Sequence, residues 1–337
     1  MRNIYDLTIK ELEDYFISIN EKKFRAVQVY EALYKRRVTS FDDMTNISKE
    51  VREKLKQDFS FYKIKMLVKQ QGKNVNKYLF ELEDGNKIES VLMFHDYGTS
   101  ICVSSQVGCN MTCAFCESGR LKKVRNLLAY EIVQQILQIE EDINKRITHV
   151  VLMGIGEPFD NYDNVLRFVK IINCGKGIDI GSRHITISTC GVIPGIKKFM
   201  NEEGQVNLAI SLHAPNNTLR NRIMPINKAY PLNELMETIK EYINKTNRRV
   251  TFEYIMLDNV NDSEENAKEL AALLKGINCY VNLIPYNETE NIEFKRTKEW
   301  KIMKFYDILK KNKINVTIRK EFGGSVDAAC GQLRANN

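Results

Sequence analysis

Short β-rich segments alternate with amphipathic helical segments over most of the chain beyond residue 98. Such alternation predicts parallel strands joined by right-handed crossover helices, because each helix covers one face of the sheet. The β-rich segments are 100–104, 149–153, 184–188, 206–212, 250–257, 280–285 and 314–319, and the helical segments are 129–140, 164–172, 232–245, 265–274 and 299–311. Six or seven units are too few for a closed eight-fold barrel. We therefore predict an α/β fold with a partial (β/α)6-type barrel over residues 98–337, whose chemistry lies at the C-terminal ends of the strands.

Two smaller regions precede this barrel. Residues 1–60 carry apolar side chains at three- and four-residue steps, which predicts a small helical domain. The basic residues of this domain are Lys22, Lys23, Arg25, Lys35, Arg36 and Arg37. They indicate either a solvated helix face or an RNA-binding surface. Residues 61–97 are predicted to form a β-hairpin extension, because alternating apolar runs flank Asp84 and Gly85.

Four of the eight cysteines fall within fifteen residues, at Cys102, Cys109, Cys113 and Cys116. The last three have the spacing C-x3-C-x2-C. Three thiolates on one loop can hold three irons of a [4Fe–4S] cluster, which leaves the fourth iron open for an external molecule. A zinc site would show two Cys pairs, or a Cys and a His pair, and disulfides would require an oxidising compartment. The pattern therefore favours a cluster with one open iron.

The bulk properties are those of a soluble globular protein. The net charge of +7 and the pI near 8.8 favour anionic partners such as nucleic acid, although weakly. No run of 18 apolar residues and no signal-peptide pattern is present, so we expect a cytoplasmic protein with no membrane partner.

The cysteine spacing resembles that of the radical S-adenosylmethionine (SAM) superfamily. The resemblance implies that the open iron chelates SAM and that Phe115 lies beside its adenine. Polar or glycine-containing elements follow several predicted strands, and we predict that they hold the cofactor. The residues concerned are Gly156, Glu157, Ser188, Ser211, Leu212, His213 and Asn287. The resemblance suggests that Glu157 accepts hydrogen bonds from the SAM ammonium group, whereas His213 alone is more typical of a structural histidine.

Two further thiols, Cys102 and Cys330, follow the first and the last predicted strands. In a closing barrel these strands can be neighbours, which would bring the two thiols together over the cluster. Cys174 and Cys279 have apolar surroundings typical of core residues.

Several motifs taken together resemble the RlmN/Cfr family of radical SAM RNA-adenine methyltransferases from about residue 7 to residue 333. They are the cysteine motif, Met-Gly-Ile-Gly-Glu-Pro at 153–158, Ser-Leu-His-Ala-Pro at 211–215, Met-Pro-Ile-Asn at 224–227, Asn-Leu-Ile-Pro-Tyr-Asn at 282–287 and Asp-Ala-Ala-Cys-Gly-Gln-Leu at 327–333. The resemblance implies methylation of an adenine in the peptidyl-transferase region of 23S rRNA. The RlmN branch modifies C2, and often also C2 of a tRNA adenosine next to the anticodon, whereas the Cfr branch modifies C8.

The same resemblance implies a route that uses two SAM molecules. One methylates Cys330, and a second is cleaved at the cluster so that its radical activates the S-methyl group, which then adds to adenine. Glu89 matches the family's base for the ring proton, and Cys102 releases the product as a disulfide with Cys330 forms. Without the resemblance, Glu89 would be interpreted as a solvated strand residue. We also expect a monomer that receives electrons from a donor such as flavodoxin or ferredoxin.

The sequence departs from the family at Glu117, Ser118, Lys122, Lys123 and Cys190, near the expected SAM and RNA contacts. Three alternatives therefore stay open. They are methylation at C8, an iron–sulfur RNA-binding protein without turnover, and a radical SAM activase or maturase that acts on protein. The motif Lys-Ile-Glu-Ser-Val at 87–91 favours the RlmN branch and methylation at C2.

Overall fold

The computed structural model describes residues 1–202, 204–289, 291–319 and 331–333. The strands are β1 (Arg2–Asn3), β2 (Phe59–Ser60), β3 (Lys65–Gln71), β4 (Val75–Glu81), β5 (Lys87–His95), β6 (Gly98–Cys102), β7 (Gln106–Val107), β8 (Arg125–Asn126), β9 (His149–Leu152), β10 (Ile185–Thr189), β11 (Asn207–Ser211), β12 (Val250–Met256), β13 (Cys279–Pro285) and β14 (Val316–Ile318). The helices are α1 (Ile9–Ser18), α2 (Arg25–Tyr34), α3 (Lys49–Asp58), α4 (Ala129–Ile143), α5 (Tyr162–Asn173), α6 (Ile193–Phe199), α7 (Asn217–Ile223), α8 (Leu232–Thr246), α9 (Glu264–Leu273) and α10 (Glu299–Lys311).

One ten-stranded sheet organises the molecule, in the order β14-β13-β12-β11-β10-β9-β6-β5-β4-β3. Seven strands, from β6 to β14 in this order, pair in parallel, and helices connect most of them. All seven β-rich segments predicted from the sequence overlap one of these strands. The mixed α/β fold with a parallel barrel sheet is therefore confirmed.

Side chains from distant strands meet on the inner face of this sheet, which shows that it curls. Arg319, next to β14, lies 3.9 Å by its Nη1 from the Met153 sulfur beyond β9. The same nitrogen lies 3.9 Å from a Glu253 carboxylate oxygen on β12. The barrel is nevertheless not closed between its first and last strands, because β5 occupies the second edge of β6. This open edge agrees with the predicted partial barrel, and among the strands that the structure describes β6 and β14 are not hydrogen-bonded to each other.

The predicted hairpin is part of a larger antiparallel extension. β4 and β5 pair around the Asp84–Gly85 turn, where Gly85 has a φ of +80° that favours glycine. A third strand, β3, pairs with β4, and it was not predicted. The lysines and glutamines of β3 hide its strand character, because they give no alternation of apolar and polar residues. The three strands continue the barrel sheet beyond β6.

The helical region of residues 1–60 packs directly on the barrel helices. Its buried apolar side chains belong to the same continuous core as those of α4 and α5. Arg167 of α5 donates to Glu11 at 2.5 and 2.6 Å, and Arg37 forms an ion pair with Glu140 of α4. Thr8 caps α1 through a reciprocal capping box with Glu11. The helical region is therefore held on the barrel helices by a shared apolar core and by ion pairs.

None of the helices in the described residues is both long and apolar enough to cross a membrane.

Substitutions at two adjacent residues of α1 test how much the core shared with the barrel stabilises the fold. Phe16 is fully buried in the shared core, whereas 57% of Ile17 is exposed. We expect Phe16→Ala to lower the free energy of unfolding by about 3–5 kcal/mol, because it leaves a cavity in the core. Ile17→Ala should change it by less than about 0.5 kcal/mol. Denaturant unfolding of both variants measures the difference, and equal effects would contradict the shared core.

Candidate functional site

A cavity lies where the loops after β6, β9, β10 and β11 meet, at the C-terminal ends of the parallel strands. Its empty volume is about 850 Å³, including the part open to solvent. The lining residues are Cys109, Met111, Cys113, Phe115, Cys116, Ser118, Leu152, Met153, Gly154, Gly156, Glu157, Ser188, Cys190, Ser211, His213, Met224, Glu253, Ile255, Ile284, Arg319 and Gly331.

The three cysteines of the C-x3-C-x2-C motif all line this cavity. A hydrogen bond ties their loop to α7, because Ala114 donates its N–H to the carbonyl of Ile223 at the end of that helix. Burial raises the pKa of the Cys109 thiol to about 12 and raises that of Cys113 well above its usual value. Within the described part of the chain, no three His, Cys, Asp or Glu side chains converge to hold a single metal ion. A cluster does not require the three thiolates to meet at one metal ion, since they bind three different irons.

Glu253 of β12 shows that the cavity suits a ligand with hydrogen-bond donors. Its Oε1 accepts a hydrogen bond of 3.0 Å from Asn282. Its buried Oε2 lies 3.9 Å from Arg319 Nη1 but accepts no hydrogen bond within the described residues. Burial raises the pKa of this carboxyl group. An acceptor left unsatisfied in a cavity is costly unless a ligand completes it. The thiols and this oxygen together fit an iron–sulfur cluster and SAM, whose ammonium and ribose hydroxyl groups are donors.

The Gly-x-Gly element after β9 permits a close approach of two backbones. A Cβ on Gly154 would lie 2.7 Å from the Val103 carbonyl oxygen, and a Cβ on Gly156 would lie 2.6 Å from the Gln106 Cβ. Gly156 also has a φ of +109°, a conformation that disfavours other residues. Because these glycines let the loop after β9 pack against the loop after β6, Glu157 lies at the cavity wall.

Glu157 is fully buried and anchored at both oxygens. Its Oε1 accepts from the Phe159 N–H at 3.0 Å, and its Oε2 accepts from the Cys190 N–H at 2.7 Å. Burial, partly offset by these bonds, raises the pKa of its carboxyl group. The carboxylate thus faces the cavity in a fixed orientation.

The other residues predicted to hold the cofactor have different environments. Ser188, Ser211 and His213 line the cavity together with Gly156 and Glu157. Leu212 packs instead into the main core, and Asn287 is not among the described residues that line the cavity. Leu212 and Asn287, which were also predicted to hold the cofactor, are therefore not among the described residues that line the cavity.

His213 and Phe115 form one wall of the cavity. Their rings meet edge to face with centroids 4.8 Å apart. His213 Nδ1 accepts a hydrogen bond of 3.0 Å from the Ile255 N–H. Burial lowers the pKa of His213 to about 3, so its ring is neutral near pH 7. His213 therefore positions the wall and is not an acid at physiological pH.

Beneath this wall lies Arg220 of α7, which is fully buried. Its guanidinium donates to the carbonyls of Cys190 at 2.6 Å, Leu212 at 3.2 Å and Ser211 at 3.3 Å, and to Asn227 Oδ1 at 2.9 Å. Neither Arg220 nor Glu253 was predicted from the sequence. The signal at Glu253 is a single charge within an apolar strand, and Arg220 gives none, because an arginine on a short helix is usually exposed.

Glu89 is buried and lies on the same face of the sheet as Cys102. Cys102 pairs with Val91, and Glu89 is two residues from Val91 on β5. Because side chains alternate along a strand, Glu89 and Val91 point to one face. Only 4% of Glu89 is exposed, and its Oε1 lies 3.2 Å from the ammonium of Lys77, which was not predicted to matter. The interpretation of Glu89 as a solvated residue is wrong, because β4 and β6 flank its strand.

The short segment Gly331–Leu333 bridges the cysteine loop and Cys102. The Gly331 carbonyl accepts a hydrogen bond of 2.8 Å from the Glu117 N–H, and the Leu333 carbonyl accepts one of 2.6 Å from Ser118. Leu333 packs in one apolar cluster with Cys102. Cys330, for which a role was predicted, lies outside the described residues.

The basic loop beside the cysteines is partly neutralised within the chain. Arg125 forms ion pairs with Glu131 at 2.8 Å and with Asp84 at 2.6 Å, and Lys123 pairs with Asp160 at 2.7 Å. Lys122 is exposed. The positive charge that this loop can offer to an anionic partner is therefore smaller than its sequence suggests.

Comparisons with known proteins agree with this geometry. A family model described as the ribosomal RNA large subunit methyltransferase N-terminal domain matches residues 2–60, and one described as the radical SAM superfamily matches residues 103–271. A probable dual-specificity RNA methyltransferase RlmN from Spiroplasma citri is 54% identical over 100% of this chain and 98% of its own length. The chain belongs to the RlmN family of radical SAM RNA methyltransferases.

Further relatives support this membership. A probable dual-specificity RNA methyltransferase RlmN from Geobacillus kaustophilus is 54% identical over 99% of this chain and 92% of its own length. The crystal structure of a radical SAM methyltransferase from Sphaerobacter thermophilus is 40% identical and covers 100% of both chains, with a TM-score of 0.94. Membership of the radical SAM superfamily implies a [4Fe–4S] cluster and SAM as cofactors.

Gly156 offers a test of how the RlmN-family cavity is built. Gly156→Ala should weaken SAM binding at least tenfold, because the added Cβ forces the loops after β6 and β9 apart. Gly175→Ala is the matched control, since its Cβ would meet only Asp179 Oδ1, at 3.6 Å. Equilibrium binding of SAM to the anaerobic proteins measures both effects. Unchanged binding by the Gly156 variant would show that the close approach is dispensable.

Proposed function

We propose that this protein methylates C2 of an adenine in the peptidyl-transferase region of 23S rRNA, and C2 of a tRNA adenosine next to the anticodon, through a methyl group carried on Cys330. The observation that carries this proposal is the docking of Gly331–Leu333. Gly331 lines the cavity with the three cysteines of the cluster motif, and Leu333 packs against Cys102. The residue next to Gly331 in the sequence is Cys330.

In this proposal Cys109, Cys113 and Cys116 hold the [4Fe–4S] cluster. Glu157, Glu253, Ser188 and Ser211 then surround SAM with acceptors for its ammonium and hydroxyl groups. When bound, the cluster and SAM supply the one-electron chemistry that activates an otherwise inert C–H bond. A partner such as flavodoxin or ferredoxin supplies the electron.

Radical chemistry suits this substrate because of the nature of the target atom. C2 of adenine is an electron-poor sp2 carbon and cannot attack a methyl donor as an amine would. The methyl group therefore passes through Cys330, whose sulfur first carries it and then links protein to RNA. Glu89 accepts the proton of the ring carbon. The cluster would take up the unpaired electron that radical addition leaves on the ring. The Cys102 thiolate then attacks the Cys330 sulfur, and the electron pair of the breaking carbon–sulfur bond goes to the carbon on the RNA. That carbon gains a proton and becomes the methyl group as the disulfide forms.

The surroundings of Glu89 and Cys102 support these roles. Both lie on the inner sheet face, and Ser104 donates to the Glu89 carbonyl at 2.6 Å, which ties Glu89 to the start of the cysteine-bearing loop. Lys77 compensates the charge of the Glu89 carboxylate in this buried setting. Glu89 is thus fixed near the rim of the barrel, where a base for the RNA substrate is needed.

Separate removal of the two thiols tests the proposed function. Cys330→Ala should abolish methyl transfer to protein and to RNA, because the carrier sulfur is gone. Cys102→Ala should leave RNA covalently bound, because the adduct forms but is not released. A slower, nuclease-sensitive band on a denaturing gel detects this adduct. Cys174→Ala, a half-buried cysteine elsewhere in the fold, is the control and should retain activity. Free turnover by the Cys102 variant would refute the paired roles.

Mass analysis of nucleosides from treated 23S rRNA and tRNA identifies the modified atom. The proposal requires 2-methyladenosine in both RNAs. 8-Methyladenosine would overturn the C2 assignment, and methylation of rRNA alone would remove tRNA as a substrate. Absence of any methylated adenosine from a protein that holds its cluster and SAM would refute the methyltransferase activity.

Lys122 tests the expected contact with RNA phosphates. Lys122→Ala should weaken RNA binding and lower the slope of log K against log salt by about 1, because one phosphate contact is lost. Lys73→Ala is the matched control, since Lys73 is also exposed but lies at the opposite end of the sheet, beside the end of β5. Binding measured at several salt concentrations compares the two. Equal slopes for both variants would exclude Lys122 from the interface.

A further inference from the structure

Arg220 is a fully buried cation behind the cavity wall, where it contacts the carbonyls of the lining residues Cys190 and Ser211. It is among the largest fully buried side chains of the protein. Four oxygens accept its hydrogen bonds, at 2.6–3.3 Å, and all of them belong to carbonyl or amide groups. Over the described ranges, no Asp or Glu oxygen forms an ion pair with this guanidinium. The carbonyls orient it but supply no negative charge.

A buried charge without a counter-charge is expensive to maintain. Natural structures pair such a cation with a carboxylate, a bound anion or a metal centre of net negative charge. The unpaired state of Arg220 therefore points to an anionic group that binds in or beside the cavity.

The position of Arg220 indicates which group this is. Arg220 lies one turn before Ile223 on α7, and the Ile223 carbonyl accepts the Ala114 N–H from the middle of the cysteine loop at 2.9 Å. Cys113, Cys116 and Ile223 pack in one cluster. The cysteine loop thus lies directly over the helix that carries the buried cation.

We propose that Arg220 is the fixed counter-charge of the cluster, a positioning residue that raises the reduction potential of the iron–sulfur centre. The inference rests on the proposed ligation by Cys109, Cys113 and Cys116. Three thiolates give the centre a net negative charge, and reduction adds one more. A nearby cation in a low-dielectric interior stabilises the reduced form more than the oxidised form, so the cluster accepts an electron more readily.

Removal of this charge should make the cluster harder to reduce. Arg220→Met keeps an unbranched apolar stem, and Arg220→Gln keeps a donor for the carbonyls in case the Met variant does not fold. In either neutral variant, the ratio of reduced to oxidised cluster at a fixed potential should fall about tenfold, equivalent to a midpoint about 59 mV more negative for a one-electron couple. Arg220→Lys keeps the charge and should restore most of the wild-type potential.

Asn227→Ala separates charge from packing. It removes the 2.9 Å acceptor of Arg220 Nη1 but leaves the cation in place. A purely structural role of Arg220 predicts that this variant shifts the potential as far as the neutral Arg220 variants do. The counter-charge role predicts a midpoint close to that of the wild type.

The experiment is a redox titration of full-length, anaerobically reconstituted proteins without SAM, followed by electron paramagnetic resonance. Iron and sulfide are measured in each sample first. A lower midpoint in the neutral variants, with that of Arg220→Lys near wild type, supports the inference. Equal midpoints in the wild type and in Arg220→Gln overturn it. Failure of the wild-type chain to assemble a cluster refutes the proposed ligation instead, so the two failures are distinguishable.

Discussion

The buried amide of Gln135 on α4 connects the parts of the molecule that must stay in register around the cavity. Its Oε1 accepts hydrogen bonds from Ser90 of β5 at 2.7 Å and from the Ser104 N–H at 2.9 Å, and its Nε2 donates to the Ser104 carbonyl at 3.0 Å. Ser104 in turn donates to the Glu89 carbonyl at 2.6 Å and accepts from the Ile155 N–H at 3.0 Å. The antiparallel extension, the cysteine loop and the glycine loop after β9 therefore share one polar junction. Because all these groups are buried, loss of any partner leaves an unsatisfied polar atom.

The site holds several charged groups that would be unfavourable in an ordinary core. Glu157, Glu253, Arg220 and the Lys77–Glu89 pair are all buried, and Glu253 keeps an oxygen without a donor in the described part of the chain. Buried charges seldom stabilise a fold relative to apolar packing. Glu157 and Glu253 line the cavity and Arg220 lies behind its wall, while the apolar core elsewhere supports the sheet. Such a local departure from good packing is typical of a site that completes its interactions with a ligand.

Sequence patterns predict the parallel strands and the long helices well, because each has a clear apolar period of two or 3.6 residues. The helix α10 begins and ends at the predicted residues, 299 and 311. Strand β3 and the seven-residue helices α6 and α7 escape prediction, since they are too polar or too short for a period to show. The order of the seven strands along the sequence does not predict that β5 pairs with the outer edge of β6. Pairing between distant segments depends on sheet register, which no local pattern carries.

The residues of the candidate site likewise fall into those that local sequence patterns predict and those that they do not. The cysteine spacing and the strand-end glycines and serines are local signals, and most of the residues that they indicate line one cavity. Arg220, Glu253 and Lys77 matter through contacts with distant residues, so their types alone say little. The role of Glu89 came only from resemblance to a family, because its burial results from strands on both sides. Chemistry that depends on one loop is thus visible in the sequence, whereas chemistry that depends on what surrounds a loop is not.

The attachment of residues 1–60 also limits how the protein can meet RNA. Arg37 and Glu11 are used in ion pairs to α4 and α5, so part of the charge of this region holds it to the barrel. Because the helical region and the barrel share one apolar core, separation would expose many buried side chains to water. The surface of the helical region therefore stays at a fixed distance from the cavity. An RNA that contacted both surfaces would have to present its target base and its phosphates with matching geometry.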